Sequence, residues 1–362
     1  MWLSGWAKRI KVTVSNTNID SDLTHFPLLL TLGASVGTGS DDTTCVFDEL
    51  TSDNNRKKIA VTKDDGTTQC YVEIEKWDDA NEKAVLWVSK SDLVLSSTGT
   101  TDLYLYYDSS HADNTTYVGD IGDRTEVWDS NFKGVWHLAE DPSGTAPQET
   151  DSTSNNNDGT SGGSMTSGDL VAAKIGDGLD FDGSDDRIMK TSPTGGNTQN
   201  FTVEAWVKAD TSTQNRCVFN HVIDNGSTSY VMYVLDNDYF YGQIGGSGYT
   251  TNLSISLATY YYLAFSYDGT TMRFRANGNT DSHALTTTVP DGDSFVIGNN
   301  YRVSPPTSNS EFDGIIDEVR ISNIARSAAW IKATYYAQSD NLVSWGSEEE
   351  APTTFIPQII MF

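Results

Sequence analysis

Chemistry in this sequence would have to come from oxygen atoms and aromatic rings. The stretch Asp151-Ser152-Thr153-Ser154-Asn155-Asn156-Asn157-Asp158-Gly159 packs carboxylates and amides closely. Calcium takes some six to eight oxygen ligands of this kind, so Asp151 and Asn157 are expected ligands of a structural calcium ion. The same residue types also make turns and caps, and the run lacks the D-x-D-x-D-G spacing of an EF-hand loop. A second group suits sugars: Tyr233, Tyr239, Tyr241, Tyr249 and Tyr301, with Asp236, Asn237 and Asp238 at a turn among them. Rings stack on pyranose faces, and acids and amides hydrogen-bond hydroxyls. Tyr233, Asp236, Asn237, Tyr249 and Tyr301 are therefore the expected glycan-binding residues, although tyrosines at strand spacing also serve as sheet cover.

Signs of catalysis are poor, and the chain is expected not to be an enzyme. Gly159-Thr160-Ser161-Gly162-Gly163 matches the G-x-S-x-G spacing but lies in a polar loop, whereas a nucleophile elbow needs a strand before it and a helix after it. Five histidines (His25, His111, His137, His221 and His283) form no H-E-x-x-H and no local cluster. Glu73 and Glu75 share one face of a strand, where a solvated position is the plain expectation. The three cysteines, Cys45, Cys70 and Cys217, are too few for a disulfide scaffold. A Cys45–Cys70 bridge is left open.

These residues must be held by strands. Alternation over Arg9 to Val14, an apolar run from Phe26 to Leu32, and Tyr71–Glu75, Ala84–Val88 and Leu103–Tyr107 predict a first set of strands. Asp65-Gly66 marks a turn between two of them. From Gly134 to Ile321 short strands recur, punctuated by Asp182-Gly183, Asn225-Gly226, Asp268-Gly269, Asn277-Gly278 and Asp313-Gly314, a pattern that predicts sandwiches and not a parallel α/β sheet. One helix is expected, from an N-cap at Ser327 through Tyr336. At 362 residues, with 37% hydrophobic and 11% aromatic content, the chain is long enough for two ordinary cores. Asp and Glu outnumber Lys and Arg by 50 to 23, a net charge of −27; clustered basic residues are lacking, so nucleic acid and anionic membrane surfaces are not expected partners. No run approaches the roughly 18 apolar residues of a membrane span. The N-terminus lacks a charged segment followed by an apolar one, so no secretory signal is expected.

Several blocks in order carry a family resemblance: Gly134-Val135-Trp136-His137-Leu138, the Asp151–Gly159 loop, Leu179-Asp180-Phe181-Asp182-Gly183, Phe201–Val207, Phe265–Gly269 and Phe312–Ile321 with Ala325-Arg326-Ser327. They resemble laminin G-like, concanavalin A-like jelly-roll domains. Residues 1–118 are similar, through Phe26-Pro27-Leu28-Leu29, Trp87-Val88 and Leu105-Tyr106-Tyr107, to a domain of unknown function that precedes such jelly rolls in prokaryotic and viral surface proteins. The resemblance implies an all-β chain of two β-sandwiches: 1–118, a linker over 119–130, a jelly roll over 131–347 with one short helix near its end, and a tail over 348–362. It also implies a calcium ion in the jelly roll, with Asp317 in the block that resembles the second ligand strand. The glycosidases of this fold carry an E-x-D-x-x-E pattern, which is missing here.

The expected function is that of a non-catalytic surface protein on a virion or particle, as a decoration or tail-associated component. It would contact a glycan or host receptor, and its apolar end, Phe355 to Phe362, would dock other structural proteins of the assembly. The alternatives are a carbohydrate-binding module accessory to a secreted polysaccharide-degrading enzyme, or a secreted cell-surface protein. Four N-x-S/T sequons, at Asn114, Asn200, Asn225 and Asn252, are compatible with the last of these.

Overall fold

Alternation over Lys8–Val14 turns Ile10, Val12 and Val14 inward, each at most 1% exposed, and the other predicted strands obey the same period of two. The computed structural model describes residues 1–223, 227–303, 306–307 and 310–352. The Asn225-Gly226 turn and the apolar end from Phe355 to Phe362 lie outside them. Among the described residues the chain is all-β, with helices only at Cys45–Leu50 and Ala328–Gln338 and in short 3-10 turns.

The N-terminal sandwich faces two four-stranded sheets toward each other. One runs Val343–Glu350, Lys8–Val14, Thr101–Tyr107, Ile59–Lys63. The other runs Leu28–Leu32, Lys83–Ser89, Tyr71–Asp78, Val118–Asp120, the last pair parallel. The Asp65-Gly66 turn forms, with Gly66 at a φ of +72°, but its flanking strands go to different sheets.

Val343–Glu350, which the sequence reading divides between jelly roll and tail, completes the N-terminal sheet as the antiparallel neighbour of Lys8–Val14. Opposite charges meet across the pair: Lys8 is the partner of Glu350 and Arg9 of Glu349, and the Arg9 Nε donates to Glu349 Oε2 at 2.7 Å. The segment read as a linker is likewise packed. It carries the edge strand Val118–Asp120 and the buried Val127 and Trp128, because an isolated aromatic can anchor a polar stretch that has no periodicity.

The second domain stacks an eight-stranded sheet on a seven-stranded one. In the first, Asp313–Ser322 runs at the centre between Asp177–Asp182 and Phe201–Ala209, and Phe132–Trp136 also pairs with it. The second orders Thr160–Gly162, Arg187–Thr191, Ser294–Ile297, Arg216–Ile223, Ser227–Val234, Tyr239–Ile244 and Ser247–Ser254. Between the sheets lie Trp136, Phe181, Phe201, Phe219, Phe265 and Phe295, all at most 1% exposed; each such side chain is worth about 1.5–3 kcal/mol of burial. Gly314, in the Asp-Gly pair that opens the central strand, sits at a φ of +125°, and a Cβ there would fall 2.1 Å from the Lys208 carbonyl oxygen.

The helix Ala328–Gln338 begins as expected, with Ser327 Oγ accepting the Trp330 N–H at 3.1 Å. It wedges between the two domains. Its Ala329, Trp330, Ala333 and Ala337 join the N-terminal core, which extends onto Val135, Trp206, Tyr262 and Ala264 of the jelly roll. Arg326 clamps Asp129 with two hydrogen bonds of 2.6 and 2.8 Å.

Candidate functional site: the tyrosine face

The outer face of the seven-stranded sheet gathers the sugar-type groups. Tyr230, Met232 and Val234 point to the core, so Tyr233 between them points outward. It pairs in register with Tyr241 on the next strand, and the two rings stand 6.0 Å apart at 42°. Tyr239, two residues before Tyr241, is 38% exposed. Gln243 continues the row, and the Tyr241 hydroxyl donates to its Oε1 at 3.0 Å. The row runs beside Gly248, where a Cβ would lie 1.7 Å from the Tyr241 hydroxyl oxygen; the absent side chain lets the ring lie flat.

Asp236 and Asn237 are exposed at the turn into Tyr239. The turn is braced from below, since the wholly buried Arg216 reaches Asp238 Oδ1 at 2.7 Å, and the Asp238 backbone takes a φ of +65°. Rings, an amide and acids thus share one open face. Such a face can stack a sugar ring and hydrogen-bond its hydroxyls.

Two of the expected glycan residues stand apart from this row. Tyr249 is the register partner of Gly242 on the inward-facing side. It stacks on His283 at 4.3 Å and packs against Phe274, so it closes the edge of the sandwich instead of presenting itself to solvent. Tyr301 is half-buried, with the Arg187 guanidinium 3.9 Å over its ring. The sequence offers Tyr239 and Tyr241 as sugar-type groups without placing them in the expected set, and it does not single out Gln243; the alternation of the three about Phe240 and Gly242 is the available signal.

The calcium that the resemblance implies does not fit Asp151, Asn157 and Asp317. Asp151 is buried, and its carboxylate accepts the N–H groups of Val135 at 3.0 Å, Thr153 at 2.9 Å and Asn157 at 2.8 Å, plus the Thr153 hydroxyl at 2.9 Å. Those oxygens face hydrogen-bond donors, where a cation requires bare oxygens. Burial nevertheless pushes this carboxyl up to about 6. The Asn157 amide bridges the Lys133 and Thr194 carbonyls. Asp317 turns elsewhere, taking the Ile175 N–H at 2.8 Å. The loop is a self-capped turn, the bland reading of its composition. A tighter acid group lies at Asp182, Asp185 and Asp186, with carboxylate oxygens within 4.8 Å of one another.

Glu73 and Glu75 do not hold the solvated position expected of them. Both are buried, Glu73 completely, because the jelly roll covers their face. Glu73 accepts from Trp128 Nε1 at 2.6 Å and Glu75 from Trp87 Nε1 at 2.7 Å. They meet His137, Glu318 and Arg320 at the domain interface, where Glu75 also borders a groove of about 360 Å³ shared with Asp120 and Glu140. Cys45, Cys70 and Cys217 are all unpaired.

Residues 182–332 match the family model of the concanavalin A-like lectin/glucanases superfamily, and the second domain is a jelly roll. No curated protein matches the sequence. Among solved structures, the binding domain of botulinum neurotoxin DC in complex with SialylT is similar at 10% identity and a TM-score of 0.44, over 58% of this chain and 52% of that one. The binding domain of Paraclostridial Mosquitocidal Protein 1 matches at 10% identity and a TM-score of 0.44, over 57% and 52% of the two chains. Domain 4 of AbnA, an extracellular arabinanase from Geobacillus stearothermophilus, in complex with arabinotriose, matches at 20% identity and a TM-score of 0.42, over 56% of this chain and 97% of that domain. The match thus spans about half the length of the two toxin binding domains.

Proposed function

We propose that this chain is a non-catalytic carbohydrate-binding protein of a surface, and that sugar docks on the outer tyrosine face of the seven-stranded sheet. The observation that carries this reading is the cross-strand pair Tyr233–Tyr241, flanked by exposed Tyr239 and by Gln243. The match of residues 182–332 to the family model of a superfamily of lectins and glucanases supports it. The non-catalytic part is supported by where the acids sit: those closest together are either locked under the domain interface or clustered at the Asp182 turn. The further reading is display on a virion or other particle; the acidic surface, with a net charge of −27, suits dense display without self-association. Finding the protein within a purified regular particle would support that placement.

A glycan array followed by calorimetry tests the binding. One neutral glycan class is expected to bind saturably, and Tyr241→Ala or Tyr239→Ala should weaken it about tenfold, in line with roughly 1.4 kcal/mol per stacked ring. The reading fails if no glycan binds, or if both variants bind like the wild type while remaining folded.

A further inference from the structure

The geometry points to a second binding site, for the carboxylate or sulfate of an acidic saccharide, in the groove between the eight-stranded sheet and the helix Ala328–Gln338. This site is separate from the tyrosine face and rests on the carbohydrate reading for the sugar but not for the charge. The groove encloses about 400 Å³, within the roughly 300–1,000 Å³ of small-molecule sites. Its floor is the outward row of three adjacent strands, including Ser266, Arg273, Arg275 and Ser282, and its wall is the first turn of the helix at Ala328 and Ile331.

One positive charge here lacks a counterpart among the described residues. In a chain with 50 acids and 23 bases, an arginine without an acid beside it is unusual. Of the three arginines that line the groove, Arg326 is held by Asp129 and Arg273 by Asp268. Arg275 makes no ion pair among the described residues, and its Nε is buried without a hydrogen-bond partner. Its guanidinium instead leans toward the Tyr335 ring at 5.6 Å.

Two independent features aim at the same space. Ser266 is 1% exposed, and its Oγ has no hydrogen-bond partner, although a buried hydroxyl ordinarily has one. The helix presents its N-terminal end to the groove and carries no acid in its first turn, so its dipole favours an anion. The one acid of the lining, Asp281, has its carboxylate occupied by the N–H groups of Asn252 and Ser282 at 2.9 and 2.7 Å. An oxyanion would complete the hydrogen bonding of Arg275 and Ser266 together, and the adjoining room would take the sugar that bears it.

The test is calorimetric titration of the intact chain with oligogalacturonate, a sulfated galactan oligomer and neutral galactan, at low and high salt. At least one acidic oligomer is expected to bind with a strong salt dependence, and whichever binds identifies carboxylate or sulfate as the anion. Arg275→Gln and, separately, Ser282→Glu on the exposed rim should each weaken it at least tenfold, while Tyr241→Ala leaves it unchanged. The proposal is overturned if neither acidic oligomer binds, if both variants bind them like the wild type, or if a polyglutamate peptide competes on equal terms. Loss of neutral-glycan binding alone would strike the tyrosine face and not this groove.

Discussion

His137 Nδ1 stands 2.5 Å from Glu318 Oε1, and both side chains are essentially sealed from solvent. From the other domain, Glu75 Oε2 lies 3.4 Å from the same nitrogen, and Glu73 Oε2 lies 3.7 Å from Nε2. Arg320 bonds the far oxygen of Glu318 and lies over Trp87 at 4.2 Å. Among the described residues, Glu73, Glu75, Asp317 and Glu318 thus confront His137 and Arg320, so the buried cluster holds two more acids than bases. Bound protons are the simplest way to even that count.

That imbalance has a direction with pH. Burial, with Glu318 close by, pushes the Glu75 carboxyl up to about 8. Burial opposes charge on His137, but Glu318, Glu73 and Glu75 outweigh it and hold the imidazole well above its usual range. In the unfolded chain Glu75 gives up its proton at about pH 4.3. Between there and about 8 the native state keeps a proton that the unfolded state has lost, so stability falls as pH rises through that window. Glu75→Gln imitates the protonated acid and still accepts from Trp87. The variant should melt above the wild type at pH 9 and close to it at pH 4.5, read as midpoint temperature against pH. Parallel profiles for the two proteins would refute the account.

How much of this was legible depends on the residue. Strand positions followed from alternation, and Ser327 gave the helix start correctly, because both signals are local. The burial of Glu73 and Glu75 was not local: Val72 and Ile74 mark one buried face, and only the second domain buries the other. Glu318 shows the same limit. It takes a φ of +57° where the register shifts between the central strand and Phe201–Ala209, a bulge that re-aims a side chain and leaves no composition signal. Asp151 carries no such distinction in the sequence, because a loop that caps itself and a loop that binds calcium use the same letters. The terminal strand had a signal that went unused: the acidic run Glu348-Glu349-Glu350 is the complement of Lys8-Arg9.

That strand should matter to the N-terminal domain. Trp345 is 7% exposed and belongs to its core, and its backbone N–H reaches Asp41 Oδ2 at 2.8 Å. Trp345→Ala is expected to cost about 3 kcal/mol, the usual range for a buried aromatic cut to alanine, measured by urea unfolding. Because the N-terminal core extends onto the jelly roll through Val135, Trp206, Tyr262 and Ala264, calorimetry should still show a single transition. A loss under about 1 kcal/mol would mean that residues 343–350 do not dock as the eighth strand of that sandwich.

In the jelly roll, His221 gives the opposite pH response. It is wholly buried, neither ring nitrogen has a hydrogen-bond partner, and it lies edge-on to Tyr230 at 5.0 Å and Phe295 at 4.9 Å. Burial depresses its pKa to about 4, and the backbone at Gly292 and the nearby Asp293 offset that only in part. The unfolded chain binds this proton below about 6.5, so stability is present above that pH and is lost as pH falls toward 4. The full loss would be about 3.5 kcal/mol at roughly 1.4 kcal/mol per pKa unit. His221→Phe keeps a ring against Tyr230 and Phe295 and removes the titration. Compared with the wild type, its stability should decline less between pH 6.5 and 4, in the window where Glu75 pulls the other way. Equal declines in urea titrations across that range would show that His221 is not the group that titrates.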